Sequence, residues 1–315
     1  MNHPVVSALL PVVLLAALGF FAGRRGWLGG EGLKQLSSLV FVVLTPPLLF
    51  RTMANVHLDQ LDFRPLASYF IASGLIFFAT LALLGFNRRA AVLGLANTYT
   101  NTVMIGIPLV GLAYGEPGLV LLFTLISVHA LVMLTTATVV LELAMLKEEA
   151  AEGRQSERHI AHTVLLAVRN TIIHPVPLPI IAGLLFAWSG LVLPPSIDKP
   201  LQLLANAFGP LALLLVGATL AGTSIGVHWR GAVTLSLVKN LVHPALVAVV
   251  GWALGLSGVP LAVMVLAAAL PIGANVFLFS QRYRVAQELV TASVATSTAL
   301  GLVTLTVVMT LLALL

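Results

Sequence analysis

The chain contains no cysteine, and only 9% of its 315 residues are charged. Without thiols there can be no disulfide, no thiolate nucleophile and no cysteine-ligated metal site. A soluble chain would carry roughly a quarter charged residues, so a water-soluble domain of ordinary composition is excluded too. Hydrophobic residues make up 59% of the chain instead. This composition is typical of an integral membrane protein.

Motifs of enzymes and pumps are also missing. The sequence has no His-Glu-x-x-His, no Gly-x-Ser-x-Gly, no P-loop and no pair of aspartates inside an apolar run. We therefore expect neither an intramembrane enzyme nor a primary pump, and no metal or other cofactor. The excess of 16 basic over 11 acidic residues is spread in ones and twos between apolar runs. Nucleic acid is thus not an expected partner, whereas membrane lipid is.

Ten apolar runs are candidates for membrane spans, since a helix needs about 20 apolar residues to cross about 30 Å of hydrocarbon. They cover residues 5–23, 34–54, 66–86, 91–113, 117–145, 162–190, 200–222, 232–253, 260–280 and 287–314. Runs this continuous lack the alternation of barrel strands, and backbone groups in lipid must be satisfied within a helix or a closed barrel. The sequence predicts an all-α membrane protein with ten transmembrane helices.

Basic residues predict the orientation, because loops rich in Lys and Arg stay in the cytoplasm. The even-numbered loops hold three of them, Arg51, Arg64 and Lys199. The odd-numbered loops hold eleven: Arg24, Arg25, Lys34, Arg88, Arg89, Lys147, Arg154, Arg158, Arg230, Arg282 and Arg284. Both termini are therefore expected outside. The first run is followed by two arginines rather than a small-residue cleavage site, which indicates a retained span rather than a signal peptide.

The two halves of the chain, 1–146 and 161–315, resemble each other weakly, and the polar stretch 147–160 between them is expected to be a cytoplasmic connecting loop. VLGLANTYTNTVMI in the first half aligns with LAAALPIGANVFLF in the second so that Asn101 meets Asn275. Five spans per half is an odd number, so the two copies would have opposite orientations. The sequence thus predicts two inverted five-helix repeats, a plan that recurs in secondary transporters.

The fourth and ninth runs are interrupted by polar and helix-breaking residues. These are Asn97, Asn101, Gly106 and Pro108 in the fourth run, and Pro271, Gly273 and Asn275 in the ninth. Proline removes an amide hydrogen bond and collides with the carbonyl four residues back, so both runs are expected to kink or unwind. Irregular backbone at membrane depth persists only where it is buried in protein or lines an aqueous cavity.

Unwound helix ends could form an anion site without a buried arginine. A helix N-terminus carries about half a positive charge and free N–H donors, so two of them near the midplane would hold a small carboxylate. The alternative is that Asn97, Asn101 and Asn275 only bond one helix to another and that the prolines only bend packed spans. Two interrupted runs at matching places in the two halves favour the site.

Several of these segments resemble the auxin efflux carrier family, which includes plant PIN-type auxin exporters and bacterial carriers for malonate or other small carboxylates. TNTVMIGIPL from Thr100, with YGE from Tyr114, is similar to the family's fourth-span motif, and LPIGANVFLFSQRY from Leu270 is similar to its ninth-span motif. TPPLLF from Thr45 and GPLALLLVGATL from Gly209 resemble the proline-bearing ends of spans 2 and 7. The resemblance covers essentially the whole chain.

The resemblance implies a scaffold of spans 1, 2, 6 and 7, often a homodimer, and a transport domain of spans 3–5 and 8–10 that moves like an elevator. It implies that broken spans 4 and 9 cross at the substrate. The residues expected at or beside this crossing are Thr100, Asn101, Pro271, Ile272, Gly273 and Asn275. Asn97, on the same helical face as Asn101, is a further candidate for substrate binding, and Gly106, Pro108 and Pro271 are the expected helix breaks. A bacterial inner (plasma) membrane is the expected location.

The function expected from the sequence is secondary transport of a small organic anion, either a carboxylate such as malonate or an auxin-like weak acid. A channel or a ligand-sensing receptor built on the same cavity is the alternative. Coupling to Na⁺ or H⁺ and simple uniport all stay open. Two further polar residues lie within apolar runs: His129 would either titrate or bond to a neighbouring helix, and Lys239 would attract an anion, neutralise a helix C-terminus or extend to the interface.

Overall fold

The computed structural model describes residues 4–56, 62–151, 160–172, 176–223 and 226–314. Over these residues the chain is helical and contains no β-strand, only a single isolated β-bridge. Seven helices of the described chain are long and apolar enough to cross a membrane, and two shorter apolar helices, Pro177–Trp188 and Gly258–Ala269, accompany them. The expected all-α fold is confirmed.

The α-helices are α1 (Pro4–Arg24), α2 (Gly30–Ser38), α3 (Thr45–Ala54), α4 (Arg64–Leu84), α5 (Arg88–Ala96), α6 (Ile107–Ala151), α7 (Ile160–Ile172), α8 (Pro177–Trp188), α9 (Pro195–Ala221), α10 (Trp229–Leu237), α11 (His243–Ala253), α12 (Gly258–Ala269), α13 (Asn275–Tyr283) and α14 (Gln287–Leu312). Three π-helical turns continue or precede helices at Leu39–Leu44, Thr102–Gly106 and Val238–Val242, and a 3₁₀ turn covers Gly226–His228.

The predicted fourth and ninth spans fall on pairs of helices. The fourth covers α5 and the beginning of α6, and the ninth covers α12 and α13. With nine residues each, α5 and α13 are too short to cross a bilayer alone. The predicted fourth and fifth spans meet inside α6 at Gly115, whose φ of 62° and ψ of −152° kink the helix just before Pro117. Ten spans in an inverted repeat stay a prediction.

The predicted connecting loop, 147–160, lies mostly outside the described residues. Its first residues, 147–151, form the end of α6, and Ile160 begins α7.

Each π-helical turn is followed by a proline two residues after its last residue, at Pro46, Pro108 and Pro244. A proline has no amide hydrogen and would collide with the carbonyl four residues earlier, and a π-helical turn shifts the hydrogen-bond register at that place. In the first turn the Thr45 hydroxyl donates to the Val40 carbonyl at 2.7 Å. The prolines therefore widen the helices locally without ending them.

The helices pack in two groups. In one, α1 packs against α9, and α3 packs against α8 and α9. In the other, α4 packs against α5 and α11, α10 packs against α14, and α12 packs against α6, α11 and α14. A bond of 2.6 Å between Arg51 Nε and Asp198 Oδ1 joins α3 to α9 within the first group. The boundary between the two groups, where α6 and α14 meet α1 and α9, positions the site described next.

Candidate functional site

Two extended segments, Tyr99–Asn101 and Pro271–Gly273, cross between the helices. Thr100 and Ile272 form an antiparallel bridge. The backbone N–H of Asn101 donates to the carbonyl of Pro271 at 2.9 Å, and the N–H of Gly273 donates to the carbonyl of Tyr99 at 3.0 Å. These reciprocal bonds satisfy backbone groups that the helices on either side leave free, as buried polar groups require.

Asn101 begins the helix that follows the first segment. Its φ of −79° and ψ of 64° form an inverse γ-turn, in which the Thr102 N–H donates to the Thr100 carbonyl at 2.9 Å. Its side-chain Oδ1 accepts from the Met104 N–H at 3.2 Å, which caps the helix N-terminus. The residue is partly exposed, and within the described chain no hydrogen bond is found to its Nδ2 group. That amide is available to a ligand.

The second segment is held from two sides. The Ile272 N–H donates to Ser297 Oγ of α14 at 3.1 Å. At the start of α13, Asn275 Nδ2 donates to the Tyr99 hydroxyl at 2.7 Å. Between them, a Cβ added to Gly273 would lie 2.7 Å from Tyr99 Cδ1, so the ring of Tyr99 packs directly on the glycine backbone. Both crossing segments are therefore fixed to each other by side chains as well as by backbone bonds.

The structure brings most of the predicted site residues together. Pro271, Ile272 and Gly273 meet Thr100 and Asn101 at the crossing, with Asn275 one hydrogen bond away through Tyr99. Their roles in substrate binding stay predictions.

The remaining predicted residues lie around the crossing. Asn97 is buried at the end of α5 and donates to Thr80 Oγ1 of α4 at 3.1 Å, a bond between helices. A Cβ on Gly106 would lie 2.8 Å from Leu270 Cδ1, so this residue packs against the second segment. Pro108 lies beside Gly209 of α9.

The carbonyl ends of α5 and α12 are met by two different side chains. Lys239 is fully buried, and its Nζ donates to the carbonyls of Ala268 and Leu270 at 2.6 and 2.7 Å. Just after the end of α5, the Tyr69 hydroxyl donates to the carbonyl of Thr98 at 3.4 Å. Of the three hypotheses for Lys239, the structure supports neutralisation of a helix C-terminus, and the side chain does not reach the interface.

Tyr69 and Tyr99 are central residues that sequence reasoning missed. The Tyr69 hydroxyl bonds to Thr100 Oγ1 at 2.5 Å and to His129 Nε2 at 3.1 Å. The His129 ring in turn lies 4.6 Å, centroid to centroid, from that of Tyr99. Tyrosines are rare in this chain, with four in all. Tyr69 and Tyr99 lie inside predicted apolar runs, and this position was the signal that could have identified them. His129 thus bonds to a neighbouring helix, which is one of the two roles expected for it.

Replacing Tyr69 with phenylalanine should loosen the crossing. The change removes the hydroxyl and leaves Thr100 Oγ1 and His129 Nε2 without that partner. Buried polar groups that lose a partner cost about 1–3 kcal/mol. We expect a lower thermal unfolding temperature in detergent and a reduced initial uptake rate. Phe70→Leu, a change beside it on the same helix, serves as a control for packing; equal unfolding temperatures for Tyr69→Phe and the unchanged protein would contradict this role.

A cavity of about 220 Å³ lies beside the crossing, between α1 and α9 on one side and Pro271 and α14 on the other. Its walls are apolar, with Val12, Phe20 and Val216 among the lining residues, and Thr298 brings the one hydroxyl side chain in the lining. The cavity is several times larger than the roughly 30 Å³ that a water molecule takes up in the liquid. It lies at the boundary between the two helix groups.

The described residues contain no group of three or more His, Asp or Glu side chains placed to hold a metal ion. The polar groups near the crossing are amides, hydroxyls, backbone N–H groups, the imidazole of His129 and the amine of Lys239, and hydrogen-bond donors of this kind suit an organic anion.

Comparison with known proteins gives consistent matches over the full fold. The profile of a family described as "Membrane transport protein" matches residues 4–309. A candidate malonate transporter of Rhizobium meliloti (strain 1021) is 27% identical over 96% of this chain and 94% of its own length. The uncharacterised transporter YfdV of Escherichia coli (strain K12) is 27% identical over 93% of this chain and 92% of its own length. Auxin efflux carrier component 8 of Arabidopsis thaliana is 24% identical over 93% of each chain.

Proposed function

Because the chain belongs to the auxin efflux carrier family of membrane transport proteins, we propose that it is a secondary carrier of a small organic anion. The observation that carries this proposal is the crossing of Tyr99–Asn101 with Pro271–Gly273, from which two helices start, one at Thr102 and one at Asn275. Both helix N-termini direct the partial positive charge of the helix dipole toward the crossing. A carboxylate is the ligand that this arrangement suits.

The amide of Asn101 would complete the site. Its Oδ1 is used by the helix cap, so its Nδ2 is oriented as a donor to a ligand. Around the crossing, Asn101, Val103, Met104, Ala274 and Asn275 are partly or fully exposed. The anion would bind there, with its apolar part toward the neighbouring cavity.

For the architecture we propose ten spans in two inverted repeats, 1–146 and 161–315, joined by a cytoplasmic loop over 147–160. The symmetry is supported by an extended break in each half, between α5 and α6 and between α12 and α13, and by the antiparallel bridge through which the two breaks meet. In this register Thr100 corresponds to Ile272 and Asn101 to Gly273, rather than to Asn275 as in the sequence alignment. Both termini would lie outside a bacterial inner membrane.

The movement that we propose is elevator-like. Spans 1, 2, 6 and 7 correspond to α1, α2, α3, α7, α8 and α9 and would form the scaffold, as a homodimer, while α4–α6 and α10–α14 would move. The apolar walls between the two groups support this, because apolar contacts are non-directional. One wall can therefore slide past the other without breaking hydrogen bonds.

The compounds named in the descriptions of the relatives share one chemical group. One names malonate and another auxin, and both are carboxylates, so the substrate of this chain would be a carboxylate of either kind. The crossing itself does not indicate an energy source. Coupling to Na⁺, coupling to H⁺ and simple uniport are each compatible with it.

Flux in proteoliposomes tests the proposal. Purified protein would be assayed with labelled malonate, succinate and indole-3-acetate, with and without a Na⁺ gradient or a pH step. Saturable uptake that is accelerated by unlabelled substrate on the opposite side is the result expected of a carrier. Ohmic current without saturation would instead identify a channel, and binding without flux would identify a receptor.

Two asparagine variants test the site. Asn101→Ser keeps an oxygen that can cap the helix but removes the amide donor, and a hydrogen bond to a charged group contributes about 1.5–3 kcal/mol. We expect the KM for uptake to rise about 10- to 100-fold, and Asn275→Ala to lose most uptake. Asn55→Ala, at the exposed end of α3, is the matched control. Near-normal uptake by both site variants, with normal insertion, would favour a role in helix packing.

A further inference from the structure

The Lys239 side chain is fully buried near the middle of the proposed membrane. It lies in the π-helical turn Val238–Val242, ten residues after Trp229, where α10 begins. At about 1.5 Å per residue this places it roughly 15 Å along the helix, halfway across about 30 Å of hydrocarbon. A cation at such a depth is costly and normally serves transport or pairing.

The partners of Lys239 are neutral acceptors, which would stabilise a protonated amine without cancelling its charge. Both bonds go to carbonyls at the end of α12, Ala268 and Leu270, at 2.6 and 2.7 Å, where the negative end of the helix dipole favours a cation. The described residues place no carboxylate against it. Two titratable side chains, His129 and His243, are close enough to interact electrostatically with Lys239. They are bonded to the hydroxyls of Tyr69 and Ser73. The surroundings of Lys239 are otherwise neutral.

The other charges of the proposed moving group lie toward its two ends. They are Arg64, Arg88, Arg89, Glu116, Lys147, Glu148, Glu149, Arg230, Arg282, Arg284 and Glu288. Glu142 is buried but lies 25 residues after Pro117, about 37 Å along α6, and the hydroxyl of Tyr283, at the end of α13, donates to it at 3.1 Å. Lys239 is therefore the charge that would cross the membrane field with the substrate site.

We infer that Lys239 is protonated and acts as a moving countercharge that matches the carrier to monoanions. This inference rests on the proposed function, because it requires the helices that carry Lys239 to move with the bound substrate. With a monocarboxylate bound, the charge of the substrate and that of Lys239 cancel, so the loaded step moves no net charge. The empty domain returns with its positive charge. A dicarboxylate would leave the loaded domain with one negative charge.

Exchange under a clamped membrane potential tests this charge balance. Proteoliposomes would hold saturating indole-3-acetate, or malonate, on both sides, and a K⁺ gradient with valinomycin would set the potential. Only the loaded domain moves during exchange. A neutral loaded domain gives exchange of indole-3-acetate that does not change between 0 and 100 mV. A loaded domain with one net charge gives exchange about three- to fourfold slower at 100 mV, for one charge moving through the whole field with a symmetric barrier.

Variants separate the charge from the shape of the side chain. Lys239→Met removes the charge at similar length, and its exchange of indole-3-acetate should become voltage-sensitive by that three- to fourfold factor. Lys239→Arg keeps the charge and should stay insensitive. Should Lys239→Met fail to fold, the unchanged protein decides alone: voltage-sensitive exchange of indole-3-acetate, or insensitive exchange of malonate, overturns the inference. Saturable flux with the wrong voltage pattern overturns the countercharge only, whereas no saturable flux of either acid overturns the proposed function with it.

Discussion

Gly217→Val is expected to destabilise the fold strongly and to lower the yield of folded protein. A Cβ at this position would collide with the backbone carbonyl oxygen of Ala16 in α1 and lie 2.7 Å from the backbone nitrogen of Phe20. On the facing helix, a Cβ on Gly19 would collide with the carbonyl oxygen of Leu214. Small residues allow such close approach of two membrane helices, and neither backbone can move aside without separating α1 from α9.

The expected cost is about 3 kcal/mol or more, at the upper end of the range for overpacking, out of a total stability of about 5–15 kcal/mol. Thermal unfolding and the yield of monodisperse protein in detergent measure it. Gly74→Val is the matched control, because nothing lies within 4 Å of a Cβ at Gly74 in α4. If the two variants unfold at the same temperature, the contact between α1 and α9 is not as close as described.

The second large effect is expected for Gly273→Ala, on transport rather than on folding. The added methyl group would lie 2.7 and 2.9 Å from two ring carbons of Tyr99 and 3.0 Å from the carbonyl oxygen of Thr100. Tyr99 cannot give way easily, because it is held by Asn275 and by the ring of His129. The two crossing segments must therefore separate, and the helix N-termini at the proposed anion site would move with them.

Strain of about 1–3 kcal/mol at this site corresponds to a loss of about 5- to 150-fold in affinity. The KM for substrate uptake in proteoliposomes measures it, alongside a thermal unfolding scan to show that the variant folds. Gly111→Ala is the control on α6, where the added Cβ would meet Leu119 side-chain atoms at an ordinary 3.6 Å. An unchanged KM for Gly273→Ala would show that the crossing tolerates a side chain and is not tightly coupled to the substrate.

Local features of the sequence determined the all-α membrane fold and the places where π-helical turns widen the helices. Apolar runs of about 20 residues must be helical in lipid, and prolines disturb a helix at their own position whatever surrounds them. Pro46, Pro108 and Pro244 each stand two residues after a π-helical turn for this reason. The asparagine at the start of a helix, Asn101, was identified on similarly local grounds.

Only the tertiary structure decided which residues meet. The bridge of Thr100 with Ile272, the bond of Asn97 to Thr80, and the meeting of Tyr69 with Thr100 and His129 join residues that are far apart in the chain. Such contacts depend on how helices rotate and slide when they pack, which the residues of one helix do not specify. The same holds for Lys239: its sequence position indicated a buried charge, but its contact with the carbonyls of α12 follows from packing alone.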